Sequence, residues 1–138
     1  MQPAEFSPYF HRKNTWTRAF VCPAFIEQNA LPSTSEKITL TLNGLGEKKL
    51  LFPCNGNAAQ VQEVIIDAFP ALQTAGGYEV LRTADGRSKD LICIPTPVSG
   101  ISVAFLKSVL GQAKGFLRPL QKDIFIRILN SRLSYFAM

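Results

Sequence analysis

The sequence is poor in the residues that build reaction centres. It holds one histidine, His11, and three cysteines, Cys22, Cys54 and Cys93. The cysteines are odd in number and widely spaced, with no Cys-x-x-Cys pair. That excludes a zinc knuckle and points away from a disulfide scaffold, toward a reduced, intracellular protein of cytoplasm or nucleus. His11 stands beside Arg12 and Lys13 in a polar stretch and reads as a solvated surface imidazole. No apolar run approaches the ~20 residues of a membrane-spanning helix. Met1 to Phe10, with Pro3, Glu5 and Pro8, lacks the basic start and apolar stretch of a secretory signal. A glycine-rich phosphate loop is missing too, because Gly44-Leu45-Gly46 is short and reads as a turn between strands; no Gly-x-Ser-x-Gly elbow occurs.

What is present is a chain of 138 residues, 46% hydrophobic, long enough for one domain with its own core. The formal net charge is +5, and it is unevenly spread. Residues 118–138 hold Arg118, Lys122, Arg127 and Arg132 against Asp123, whereas the stretch from 38 to 117 is close to neutral. A nucleic-acid binder concentrates basic side chains on one element with aromatics between them. Arg118–Arg132, with Phe125 inside it, does so weakly, so a small basic adaptor that binds nucleic acid through this C-terminal segment is the secondary reading.

The first 35 residues read as an irregular N-terminal segment punctuated by Pro3, Pro8, Pro23 and Pro32. Within it Thr15–Cys22 has strand composition, with Trp16, Arg18, Phe20 and Cys22 on one face, and is expected as an extra edge strand. From Ile38 the alternation of Ile38, Leu40 and Leu42 with Thr39 and Thr41 predicts a half-buried strand. Asn43-Gly44 then predicts a turn into a second strand from Lys48 to Phe52, forming a hairpin closed by Pro53. Asn57 with Gln60 forms a capping-box pattern, and Val61, Ile65, Ala68, Phe69 and Leu72 recur at helical spacing. Pro70 ends or bends that helix.

Tyr78 to Thr83 predicts a third strand, Asp85-Gly86 a turn, and Leu91 to Ile94 a short buried strand. Ser102 caps a short helix carrying Val103, Leu106, Val109 and Leu110, stopped by Gly111. Gly115 to Gln121 is the last strand, with pairing expected to stop before Pro119. The resulting fold class is α+β: a β-grasp (ubiquitin-like) mixed sheet crossed by one main helix, spanning 36–123, with 124–138 a C-terminal tail that reads either as a helix or as a truncated or alternatively spliced end.

No constellation of side chains assembles into chemistry. Glu63 and Asp67 share a helix face by i,i+4 spacing and read as solvent-facing charge. Cys54, between Pro53 and Asn55, reads as exposed but has no histidine near it in sequence; as a thiol enzyme it would need a depressed pKa. Cys93, between Ile92 and Ile94, is expected in the core. The prediction is therefore a non-enzymatic module with no catalytic residue, cofactor or metal. Arg82, Arg87, Lys89, Lys107, Lys114 and Arg118 are its candidate interaction surface.

An ordered series of short segments adds a family resemblance. It consists of Thr15-Trp16-Thr17, Pro32-Ser33-Thr34, Glu36-Lys37, Gly44-Leu45-Gly46-Glu47-Lys48-Lys49, Phe69-Pro70-Ala71-Leu72, Gly76-Gly77-Tyr78-Glu79-Val80-Leu81-Arg82 and Arg118-Pro119-Leu120-Gln121-Lys122-Asp123. Over roughly residues 14–123 the chain resembles the N-terminal, ubiquitin-like region of fish HECT-type E3 ubiquitin ligase-like proteins. The resemblance implies a β-grasp accessory domain, a fragment or short form of such a ligase, with a protein partner from the ubiquitin pathway and no membrane. It transfers no catalytic role to Cys22, Cys54 or Cys93, because the thioester-forming cysteine of such ligases belongs to the HECT domain. The apolar run Ile124-Phe125-Ile126-Arg127-Ile128-Leu129 departs from the family pattern. The chain lacks a terminal Gly-Gly, ending in Phe136-Ala137-Met138, so conjugation like that of ubiquitin is not expected.

Overall fold

In the computed structural model, residues 14–84 and 89–126 are described. Strand β1 (Thr15–Cys22) is followed by helix α1 (Thr34–Leu42), strand β2 (Gly46–Pro53), helix α2 (Ala58–Ala68) and the single turn α3 (Ala71–Thr74). Strands β3 (Tyr78–Thr83) and β4 (Leu91–Ile94), helix α4 (Val103–Leu110) and strand β5 (Gly115–Pro119) complete the order. The class is α+β, with one five-stranded mixed sheet ordered β2-β1-β5-β3-β4.

The aromatic and β-branched run of β1 suits a pleated surface, and both faces are buried over Phe20–Cys22. Contrary to the expectation of an edge strand, β1 lies inside the sheet. It pairs antiparallel with β2 along its whole length, from Thr15 opposite Pro53 to Cys22 opposite Gly46, and parallel with β5 at Phe20 and Val21. Gly115 permits that approach: a Cβ there would lie 2.5 Å from the Phe20 ring.

The predicted strand at Ile38–Leu42 is instead the second half of α1. Ser33 accepts the Glu36 amide at 3.2 Å while the Glu36 carboxylate accepts the Ser33 amide at 2.7 Å, a closed capping box. These two bonds satisfy donors that a helix start otherwise leaves open, and they outweigh the alternating pattern. Asn43-Gly44 correspondingly ends a helix rather than turning a hairpin. The Asn43 side chain donates to the Thr39 carbonyl at 2.8 Å, and Gly44 takes φ +80°, the left-handed region that favours glycine.

Helix α2 follows its sequence pattern. Asn57 and Gln60 close their capping box at 2.9 Å in both directions. Val61, Ile65, Phe69 and Leu72 are fully buried. Burial of Val61, Ile65 and Phe69 contributes roughly 5–9 kcal/mol before chain entropy is subtracted. Phe69 caps the helix outside the helical region, at φ −132° and ψ 74°, as the clash with the following Pro70 ring demands. Ser102 caps α4 by accepting the Phe105 amide at 3.1 Å, and Gly111 ends it.

The main core packs one face of the sheet, through Phe20, Leu50, Phe52, Val80 and Leu117, against α2 and α4. A smaller core of Val21, Leu81, Leu91 and Phe116, with Leu31 against it, lies apart. β5 extends to Pro119, which stands in register opposite Tyr78, so pairing runs one residue further than expected. Cys93 is exposed, not core: β4 is an edge strand that buries only its end residues Leu91 and Ile94. Ile124–Ile126 is not helical; the rest of the expected C-terminal helix lies outside the described residues, as do His11, Arg87 and the Asp85-Gly86 turn.

Candidate interaction surface

Most of the cationic side chains singled out from the sequence are engaged by other parts of the fold. Arg118 reaches from β5 to the Glu79 carboxylate at 2.7 Å, to the Gln28 carbonyl at 3.0 Å and to Asn29 Oδ1 at 2.7 Å. It thereby fastens the segment after β1 to the sheet. Arg82 donates to the Val109 carbonyl at 2.9 Å, at the C-terminal end of α4, where cations are favoured by the helix dipole. Arg18 joins it there, donating to the Gly111 carbonyl at 2.8 Å with its guanidinium 5.0 Å from the Trp16 ring centre. Lys114 pairs with Glu47 at 2.8 Å, both half-exposed, an arrangement worth little in water. Lys107 donates to the Cys54 carbonyl and sulfur at 3.5 Å. Lys89 is exposed. Arg82, Lys107, Lys114 and Arg118 thus tie elements of the fold together.

Burial pushes the Cys22 thiol up to about 12, only partly offset by the Lys48 charge. Cys93 is raised by desolvation and then by the Glu79 carboxylate, toward which its thiol points at 3.8 Å. Cys54 is half-buried. No group of three or more potential metal ligands occurs among the described residues, and none of their helices is long and apolar enough to cross a membrane.

A different place on the surface has the shape of a binding site. The segment after β1 and helix α1 face each other across a cleft of about 250 Å³. One wall is Ala24, Phe25, Gln28 and Pro32; the other is the α1 face carrying Ser35, Glu36, Thr39 and Leu40. Ile126 closes it. Ile126 arrives there because the Ile124 amide donates to the Ala24 carbonyl at 2.7 Å and the Ile26 amide to Asp123 at 2.8 Å.

Apolar surface continues beyond the cleft. Ile38 and Leu42, one turn apart on α1, are 58% and 60% exposed. By helical geometry their side chains sit beside those of Ser35 and Thr39, so they extend the cleft wall around the helix. Phe25 on the opposite wall is 43% exposed. Sequence reasoning missed this site because it wound 38–42 as a strand, but the Ser33-x-x-Glu36 signature was present and would have found the helix.

No family model, curated protein or solved structure matches this chain.

Proposed function

We infer that the protein is a non-enzymatic interaction module of β-grasp, ubiquitin-like type that binds a protein partner through the α1 cleft and its apolar rim. The exposed pair Ile38 and Leu42 beside the cleft carries this reading. Leaving more than half of each of these aliphatic side chains in water forgoes roughly 1–2 kcal/mol each, which a partner recovers on covering them. The β-grasp assignment is supported by a mixed sheet that opens on the antiparallel pair β1–β2, is crossed by α2, and closes on β5 parallel to β1 after the short helix α4. The departure is α1, which stands where a tight hairpin turn would join the first two strands.

The resemblance to ubiquitin ligase-like proteins makes a ubiquitin-pathway protein the first partner to try, in an intracellular setting. The test is an NMR titration of the isotopically labelled chain with ubiquitin, ubiquitin-conjugating enzymes and a HECT domain. Saturable shifts centred on Phe25, Ile38 and Leu42 are expected. Binding to RNA or DNA with a steep salt dependence, leaving α1 unperturbed, would replace this reading with the basic-adaptor one.

A further inference from the structure

Cys54 and Lys107 are 53 positions apart in the chain, yet Lys107 Nζ lies 3.5 Å from Cys54 Sγ. Backbone hydrogen bonds build this meeting. The Cys54 amide donates to the Asn14 carbonyl at 2.7 Å and the Gly56 amide to the Pro53 carbonyl at 2.9 Å, which fixes the turn that carries the thiol. The Val103 amide donates to the Gly56 carbonyl at 3.0 Å, which ties the first turn of α4 to the same place. Lys107 follows Val103 by four residues, so it rises from the same face of α4. Its ammonium also donates to the Cys54 carbonyl at 3.5 Å. The thiol is half-buried and the lysine exposed, which leaves the pair open to a small reagent. The other two thiols are placed differently. Cys22 is buried, and Cys93 points at the Glu79 carboxylate, which offers no amine.

We propose that Cys54 accepts an acyl group from a small acyl thioester and passes it to Lys107, making Lys107 a self-acylation site. In the first step Cys54 loses its proton to solvent and Sγ attacks the carbonyl carbon of the donor. The new Sγ–C bond replaces the donor's S–C bond, and the donor leaves as a thiolate that takes up a proton. In the second step the uncharged Lys107 amine attacks the same carbon. The Nζ–C bond forms, the Sγ–C bond breaks, and the proton shed by Nζ returns to Cys54. Nothing is oxidised or reduced; a thioester and an amine become an amide and a thiol. The 3.5 Å separation puts Nζ within reach of a carbonyl carbon held on Sγ, so the transfer is intramolecular and gains from proximity. Acylation removes the Lys107 charge and with it the charged contact between α4 and the turn after β2. The change is a modification of the chain itself, without turnover, and is independent of partner binding at the α1 cleft.

The test incubates the full chain with acetyl-coenzyme A in mildly alkaline buffer and follows each lysine by peptide mass spectrometry. Lys107 is expected to acetylate at least about tenfold faster than the exposed Lys49 and Lys122. Cys54→Ser should bring Lys107 down to their rate. Lys107→Arg should instead accumulate a hydroxylamine-sensitive acetyl group on Cys54. The preference for Lys107 should vanish when the parent chain is unfolded in urea, because only the fold brings the two residues together. Acetylation of Lys107 no faster than that of Lys49 overturns the proposal. So does an undiminished rate in Cys54→Ser, a preference that survives in urea, or the absence of a Cys54 thioester in Lys107→Arg.

Discussion

The Lys48 ammonium sits 4.8 Å from the centre of the Phe69 ring and donates a 2.6 Å hydrogen bond to the carbonyl of Ala68. One cation from β2 thus serves the end of α2, where unpaired carbonyls and the helix dipole accumulate negative charge. Lys48→Met keeps the stem and removes the ammonium. It is expected to lower stability by about 1–2 kcal/mol, seen as a lower urea midpoint at unchanged slope. An unaltered midpoint would show the contact to be energetically idle.

Arg118 is the fastener of the segment after β1. Its side chain is only 13% exposed and serves a carboxylate, a backbone carbonyl and an amide oxygen at once. Arg118→Lys cannot reproduce that fork, so lysine is expected to behave nearly as badly as methionine, each losing about 2 kcal/mol. Amide exchange at Leu31, whose N–H is bonded to the Lys89 carbonyl, should accelerate in both variants. Full rescue by lysine would mean that charge alone is sufficient.

Gly44 separates backbone strain from crowding. It has φ +80°, and a Cβ there meets nothing within 4 Å. Gly44→Ala should therefore cost only the left-handed backbone, about 1–2 kcal/mol, and Gly44→Asn clearly less. Gly115→Ala, by contrast, drives a methyl into the Phe20 ring and should cost about 1–3 kcal/mol. Adding Phe20→Leu should recover part of that loss in a double-mutant cycle; strict additivity of the two changes would contradict the packing described.

Stability should fall in alkali through Cys22 and Tyr78. Burial raises Cys22 from an ordinary 9.0 to about 12 and Tyr78 from 10.0 to about 12. Between those limits the unfolded chain loses protons that the folded chain keeps, so unfolding is favoured as pH rises. Stability from these groups is complete below about pH 9 and declines toward pH 12. Denaturation midpoints measured across that range should fall, and Tyr78→Phe should flatten the part that begins near pH 10. A variant that declines as steeply as the parent would remove Tyr78 from the account.

Much of the fold was legible where local signals agreed. Asn57, Gln60 and the Val61–Phe69 spacing located α2 within a residue, and Ser102 with Gly111 bracketed α4, because caps and periodicity gave the same answer. Residues 38–42 failed because two signals conflicted. Alternating Ile, Thr and Leu residues argued for a strand, while Ser33 and Glu36, just upstream, specified a helix start whose hydrogen bonds prevailed. Once that strand is mistaken, Thr15–Cys22 loses its role as partner of β2 and looks peripheral. The error at Cys93 has a tertiary cause: two isoleucines flank it, but an edge strand of four residues leaves its centre open. The cleft was hidden for the same reason, since it exists only between α1 and a segment without periodicity. The charged candidates were legible as charges but not as fasteners, because their acceptors lie as far off in sequence as Glu79 and Val109.

The interior position of β1 also governs how the chain reaches its structure. Phe20 meets its parallel neighbour only when Gly115 and Phe116 are available, so the sheet centre joins two distant ends of the sequence. Closing that loop costs entropy before the contact returns any stabilisation, which marks the protein as a slow folder for its size. During synthesis, β1 and β2 can pair early as an exposed ribbon, yet the sheet has no middle until the last strand emerges. A nascent chain held on the ribosome before that point would present the β5-facing edge of β1 unpaired, the state in which strand exchange and aggregation begin.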